Sequence, residues 1–177
     1  MKIHCLLLFV LVLSSTVASA AEEGKVTGQM VVNGKTIKFT HVYASMVPTE
    51  KGRSSLFTGV IRVIVSDVPI STAELANPTK RQELATAGKL HAMELLLADD
   101  PMGHPGKRAL SNDIYDATFN GSQQPMRLAG LDDFETKTDD KKTIAGRHFM
   151  ASPHKFSDVG KGVTFQDDVT FSAAIAH

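Results

Sequence analysis

Apolar and polar positions alternate along most of the chain, and the alternation is clearest at the C-terminal end. Val163, Phe165, Val169, Phe171, Ala173 and Ile175 form one row, with Thr164, Gln166, Asp168, Thr170 and Ser172 between them. A period of two predicts a long strand with one buried and one wetted face. At helical spacing the same residues would wrap around the axis. Asp167 interrupts the apolar row, so a bulge or an inward carboxylate with a partner is expected there, Arg62 and Arg147 being the candidates. Near the other end, Gln29–Val32 and Lys35–Thr40 flank Asn33-Gly34. Asn-Gly between two strand-forming runs predicts a hairpin, because both residues tolerate the positive φ of a type I′ turn. If the second strand continues, Ile37, Phe39, His41 and Tyr43 share one face and Lys38, Thr40, Val42 and Ala44 the other, with Val47-Pro48 ending it.

Phe57–Val65 is apolar almost throughout, which predicts a central strand covered on both faces, with Arg62 as its one charged residue. Two short helices are expected next. Ser71 or Thr72 caps the first, with Glu74 in its opening turn and Pro78 just past its end. The second covers Thr79–Ala87, with Gly88 as its C-terminal cap. Leu90–Ala98 carries helix formers, but Gly88 before it and Asp99-Asp100-Pro101 after it favour a strand. Met102–Arg108 is expected as a loop, and weaker strands around Ala109–Phe119 and Gln124–Lys137 are separated by Asn120-Gly121. A charged turn at Asp139–Lys141, a strand over Thr143–Ala151 and a loop over Pro153–Gly162 complete the chain. The expected fold is mainly β: a single antiparallel sandwich or barrel-like domain of about eight strands with two short helices, because the connections are too short for parallel crossovers.

Residues 1–20 break the pattern. Met1–His4 is short and basic, Cys5–Leu13 is uninterrupted apolar sequence, and Ser14–Ala20 is built of small residues, with Ala18 and Ala20 at the −3 and −1 positions of a cut before Ala21. The apolar run reaches only about half of a ~30 Å hydrocarbon core. A cleaved export signal preceding a single β-rich domain over 21–177 is therefore expected, with a periplasmic or secreted product and no stable membrane insertion after cleavage. Removing 20 of the 177 residues leaves 157, enough for one core without staples. The single cysteine, Cys5, leaves with the signal, so disulfides, thiol nucleophiles and thiolate-held zinc are excluded from the mature chain. Charge is balanced, with 19 basic and 19 acidic residues in the whole chain. Balance without a basic block argues against a nucleic-acid partner.

The chain resembles a family of small, uncharacterised exported bacterial β-domain proteins. The resemblance rests on THVYA (Thr40–Ala44), VSDVPIS (Val65–Ser71), GKLHAMEL (Gly88–Leu95), IAGR (Ile144–Arg147) and TFQDDVTFSAAI (Thr164–Ile175). It implies the fold and transfers no catalytic residue.

Six histidines survive the cut: His41, His91, His104, His148, His154 and His177. No two have a ligand spacing such as H-x-H or H-x₃-H, so no metal or other cofactor is expected. His91 and Glu94 form an H-x-x-E string, but in a strand that offset places them on opposite faces. The acidic pairs Asp99-Asp100, Asp132-Asp133 and Asp139-Asp140 read as solvated turns and match no calcium loop. No G-x-S-x-G, phosphate loop or dinucleotide fingerprint is present. With no tryptophan and two tyrosines, a stacking platform for sugars or bases is disfavoured. These features favour a non-catalytic exported domain that binds a small apolar ligand or an envelope protein, with His41, Tyr43, His148 and Asp167 nearest the pocket. One alternative is a small hydrolase or isomerase using a His/Asp pair such as His148 with Asp167; another is a metal-handling protein.

Overall fold

A computed structural model describes residues 23–48, 59–99, 105–119, 126–128, 133–157 and 162–176. The expected signal segment, His104 and His177 lie outside them. The described chain is mainly β, with eleven strands in one open mixed sheet and two short helices. One half consists of β1 (Lys25–Val32), β2 (Lys35–Lys38), β8 (Asp133–Asp139), β9 (Thr143–Phe149), β10 (His154–Phe156) and β11 (Val163–Ala176). The other consists of β3 (His41–Met46), β4 (Ile61–Ser66), β5 (Ala92–Asp99), β6 (Lys107–Tyr115) and β7 (Met126–Leu128).

β11 joins the halves. It runs antiparallel to β1 along one edge and to β9 and β10 along the other. Its last residues then lie parallel to β3, with Ile175 opposite Ala44 and Ala176 opposite Ser45. That contact makes the sheet mixed where a purely antiparallel one was expected. All other strand pairs are antiparallel, including β3–β4–β5–β6–β7 in sequence order.

Most expected elements are present. Asn33 and Gly34 turn the first hairpin with φ of 50° and 81°. Leu90–Ala98 does form a strand, β5, shifted to Ala92–Asp99. The long second strand of the hairpin does not continue, however. Phe39 N donates to Gly28 O in one half, while Thr40 N donates to Ser66 O in the other. The chain changes partners between these residues and its alternation slips by one. Ile37 and Phe39 face the main core before the break, Val42 and Ala44 after it, and Tyr43 packs in a second cluster. The Gln124–Lys137 run divides into β7 and β8, β6 begins at Lys107 within the expected loop, and β10 lies within Pro153–Gly162.

Both halves contribute to one apolar core, with Met30, Phe165, Val169, Phe171 and Ile144 from one and Val42, Val63, Met93, Leu95 and Ile114 from the other. β4 is indeed covered twice: Ile61, Val63 and Val65 face this core, while Ile64 joins the smaller cluster beneath the helices. Those helices are α1 (Thr72–Leu75) and α2 (Pro78–Thr86). Glu74 accepts from the Ser71 backbone N and hydroxyl at 2.7 Å each, closing the first turn of α1. Pro78 opens α2 as its first residue instead of merely trailing α1, because its missing N–H is one a helix start leaves unbonded anyway. Asn77 accepts from Thr79 N and Lys80 N as its cap.

Candidate functional site

Two charged residues in otherwise apolar strands define the face of the sheet beneath the helices. Arg62 on β4 and Glu94 on β5 each break an apolar run, and the strand register places them on the same face. A carboxylate buried there requires compensation, because ionised groups taken out of water are costly unless paired. Glu94 has three partners. Arg81 Nη2 from α2 donates to Oε2, the Tyr115 hydroxyl from β6 donates to Oε2 at 2.9 Å, and Arg62 Nε lies 2.7 Å from Oε1. The Arg62 contact is an ion pair without hydrogen-bond alignment.

Arg81 is fully buried and ties the helices to the sheet. Its Nη1 donates to the carbonyls of Glu74 and Leu75, both at 2.7 Å, supplying donors that the end of a short helix lacks. Its Nη2 also reaches the Tyr115 oxygen at 3.2 Å, and the guanidinium lies 5.1 Å from the Tyr115 ring centroid. Burial, reinforced by the Glu94 charge, raises the Tyr115 phenol well above its usual range, so the hydroxyl stays protonated and donates. Beside this group, Arg127 makes a two-point contact with Asp113 at 2.7 and 2.9 Å, which raises the Arg127 guanidinium further.

Next to this network a cavity of about 270 Å³ opens between β3, β4 and α1. Tyr43, Ile64 and Leu75 form its apolar side, Ser45 and Thr72 supply its hydroxyls, and Arg62 its charge. Tyr43 is itself fixed, its hydroxyl accepting from Ile70 N at 3.2 Å.

The four residues singled out from sequence do not converge. Tyr43 lines the cavity. His41, two residues earlier on β3, bonds Glu23 through Nδ1 at 2.6 Å at the surface. His148 on β9 and Asp167 on β11 pair at 2.6 Å with both side chains fully buried in the main core. Asp167 is thus an inward carboxylate with a histidine partner; β11 passes it without a bulge, opposite Met30. Neither arginine holds it, since Arg147 pairs with Asp168 and Arg62 with Glu94. As a pair sealed from solvent, His148–Asp167 offers no surface to a substrate.

A different histidine–carboxylate pair lies at the sheet's rim. His91 Nδ1 is 2.6 Å from Asp116 Oδ2, and the imidazole retains 16% exposure. Asp116 Oδ1 accepts from Thr118 N, and Asp67 accepts from His91 N, so both residues are held in place. Spacing in the sequence could not reveal this pair, which forms because Ala92 stands opposite Tyr115 in the β5–β6 ladder. Among the described residues, no three His, Cys, Asp or Glu side chains converge as a metal donor set, and no helix is long and apolar enough to cross a membrane. No family model matches the chain, and neither does any curated protein or solved structure with which it was compared.

Proposed function

We propose that the chain is an exported, non-catalytic β-domain that binds a small, mainly apolar molecule in the cavity between β3, β4 and α1. The observation that carries this reading is the cavity itself: a space of about 270 Å³, largely apolar, with a few fixed polar groups on its walls. That composition is typical of ligand sites, and the volume lies just under the usual range of about 300–1,000 Å³, so the ligand is small. The Arg81–Glu94–Tyr115 network holds α1 and the strand face in a fixed relation, so little ordering is required on binding. In this reading the two halves of the sheet, sharing one core, act as a sandwich-like or barrel-like frame, and the product works in the periplasm or the medium. Calorimetric titration of the mature chain with unbranched alcohols and carboxylic acids of four to eight carbons tests the site. At least one member should bind in the cavity, and Ser45→Phe, which fills it from β3, should abolish that binding. Silence across the panel, or equal binding by Ser45→Phe, would overturn the reading.

A hydrolase or isomerase reading has one observation in its favour, and it concerns His91–Asp116. A carboxylate on Nδ1 orients the imidazole and leaves Nε2 available for proton transfer. Turnover of activated esters that is lost in His91→Gln would support it; equal rates in both proteins would remove it.

A further inference from the structure

We infer that the molecule held in the cavity carries a carboxylate, which the Arg62 guanidinium recognises while the apolar tail lies along Tyr43, Ile64 and Leu75. This rests on the binding reading above and specifies its ligand. The argument is one of charge. On this face of the sheet three guanidiniums, Arg62, Arg81 and Arg127, stand against two carboxylates, Glu94 and Asp113. Arg127 and Asp113 satisfy each other through two hydrogen bonds. Glu94 is therefore shared by two arginines, and among the described residues of this face one positive charge has no carboxylate of its own.

The remaining charge is directed to Arg62. Arg81 is fully buried, and its two terminal nitrogens are taken up by Glu74 O, Leu75 O, Glu94 and Tyr115. Arg62 contacts Glu94 only through Nε, without hydrogen-bond alignment, and its side chain keeps 29% exposure where it lines the cavity. Among the described residues its terminal nitrogens have no hydrogen-bond partner, and a planar guanidinium so placed matches a carboxylate in a two-point contact. Across the strand pair, Ser45 stands directly opposite Arg62, placing a hydroxyl beside the same charge. The apolar remainder of the wall excludes a highly hydrated polyanion, so the fit is a monocarboxylate with a short tail.

Comparing chain-matched acids with alcohols on the wild-type protein tests this without a mutation. Hexanoate or octanoate should bind at least tenfold more tightly than the alcohol of equal length, the range expected for a charge-assisted contact. Arg62→Met should bring the ratio of acid to alcohol affinity down to about one, while Arg62→Lys should retain part of the preference; circular dichroism confirms folding of each variant. Equal affinity for acid and alcohol in the wild type would overturn the carboxylate inference while leaving the cavity reading intact. Failure of both ligand series would defeat the cavity reading itself.

Discussion

Replacing Arg81 with methionine removes a side chain that joins α1, α2, β5 and β6. The substitution keeps much of the buried volume but takes away the guanidinium bonded to Glu94, to Tyr115 and to two carbonyls of α1. Breaking a buried ion pair by deleting one member costs about 3–5 kcal/mol, because the other charge remains buried. Glu94 keeps the Tyr115 hydroxyl at 2.9 Å and Arg62 at 2.7 Å, so its share falls toward the lower end of that range. The carbonyls of Glu74 and Leu75 each lose a donor, adding up to about 1 kcal/mol apiece where water does not replace it. The expected loss is about 4 kcal/mol, a large part of the ~5–15 kcal/mol that holds a domain of this kind together. Urea denaturation followed by circular dichroism measures it. The double variant Arg81→Met/Glu94→Leu discriminates the cause. With both charges gone no unpaired ion is left buried, and the part of the loss due to the broken ion pair should return, since partly exposed Arg62 can turn to water. A loss under about 1 kcal/mol in the single variant, or a double variant as unstable as the sum of its singles, would refute the network as the anchor of the helices.

Other consequences are equally measurable. Gly146→Ala should destabilise the chain by about 1–3 kcal/mol in the same assay, because a Cβ there would meet the Phe134 ring at 2.5 Å and Glu135 O at 2.8 Å. Asp167→Ala should be strongly destabilising, whereas His148→Leu/Asp167→Leu should recover much of the loss, as expected for a buried pair that is structural. The Arg147 hydrogen bonds hold Asp168 below its ordinary carboxylate range in the folded protein. A depressed folded value means that the pair's contribution is present above the unfolded value and disappears as pH falls through the folded one. Carboxyl NMR should therefore show an acid-shifted Asp168 that returns toward normal in Arg147→Gln.

Local pattern made much of the fold legible. The Asn33-Gly34 hairpin, the doubly covered strand around Val63 and the long C-terminal strand follow from residue type and period two, signals that survive without knowledge of partners. What pattern could not show is where a strand changes neighbours. The slip between Phe39 and Thr40 depends on Gly28 and Ser66 presenting carbonyls from different halves, a tertiary fact. The parallel contact of Ile175 with Ala44 is likewise invisible to short connections, because it joins the two ends of the chain. For the candidate site, Asp167 could be recognised as a charge in an apolar row, but its partner could not, since nothing near it in sequence marks His148. Arg62 and Glu94 carried the same signal, lone charges in apolar strands, and the H-x-x-E spacing drew attention to His91 instead. Arg81 gave none at all: a lysine–arginine pair on a short polar helix reads as solvated surface until the helix is laid on the sheet.

The central claim is that the space bounded by β3, β4 and α1 holds a ligand. Titrating ¹⁵N-labelled residues 21–177 with hexanoate and following amide shifts tests it residue by residue. The account predicts saturable shifts centred on Ser45, Arg62, Ile64 and Leu75, with the amides of His148 and Asp167 unmoved. Shifts centred on His91 and Asp116, or none anywhere, would contradict it.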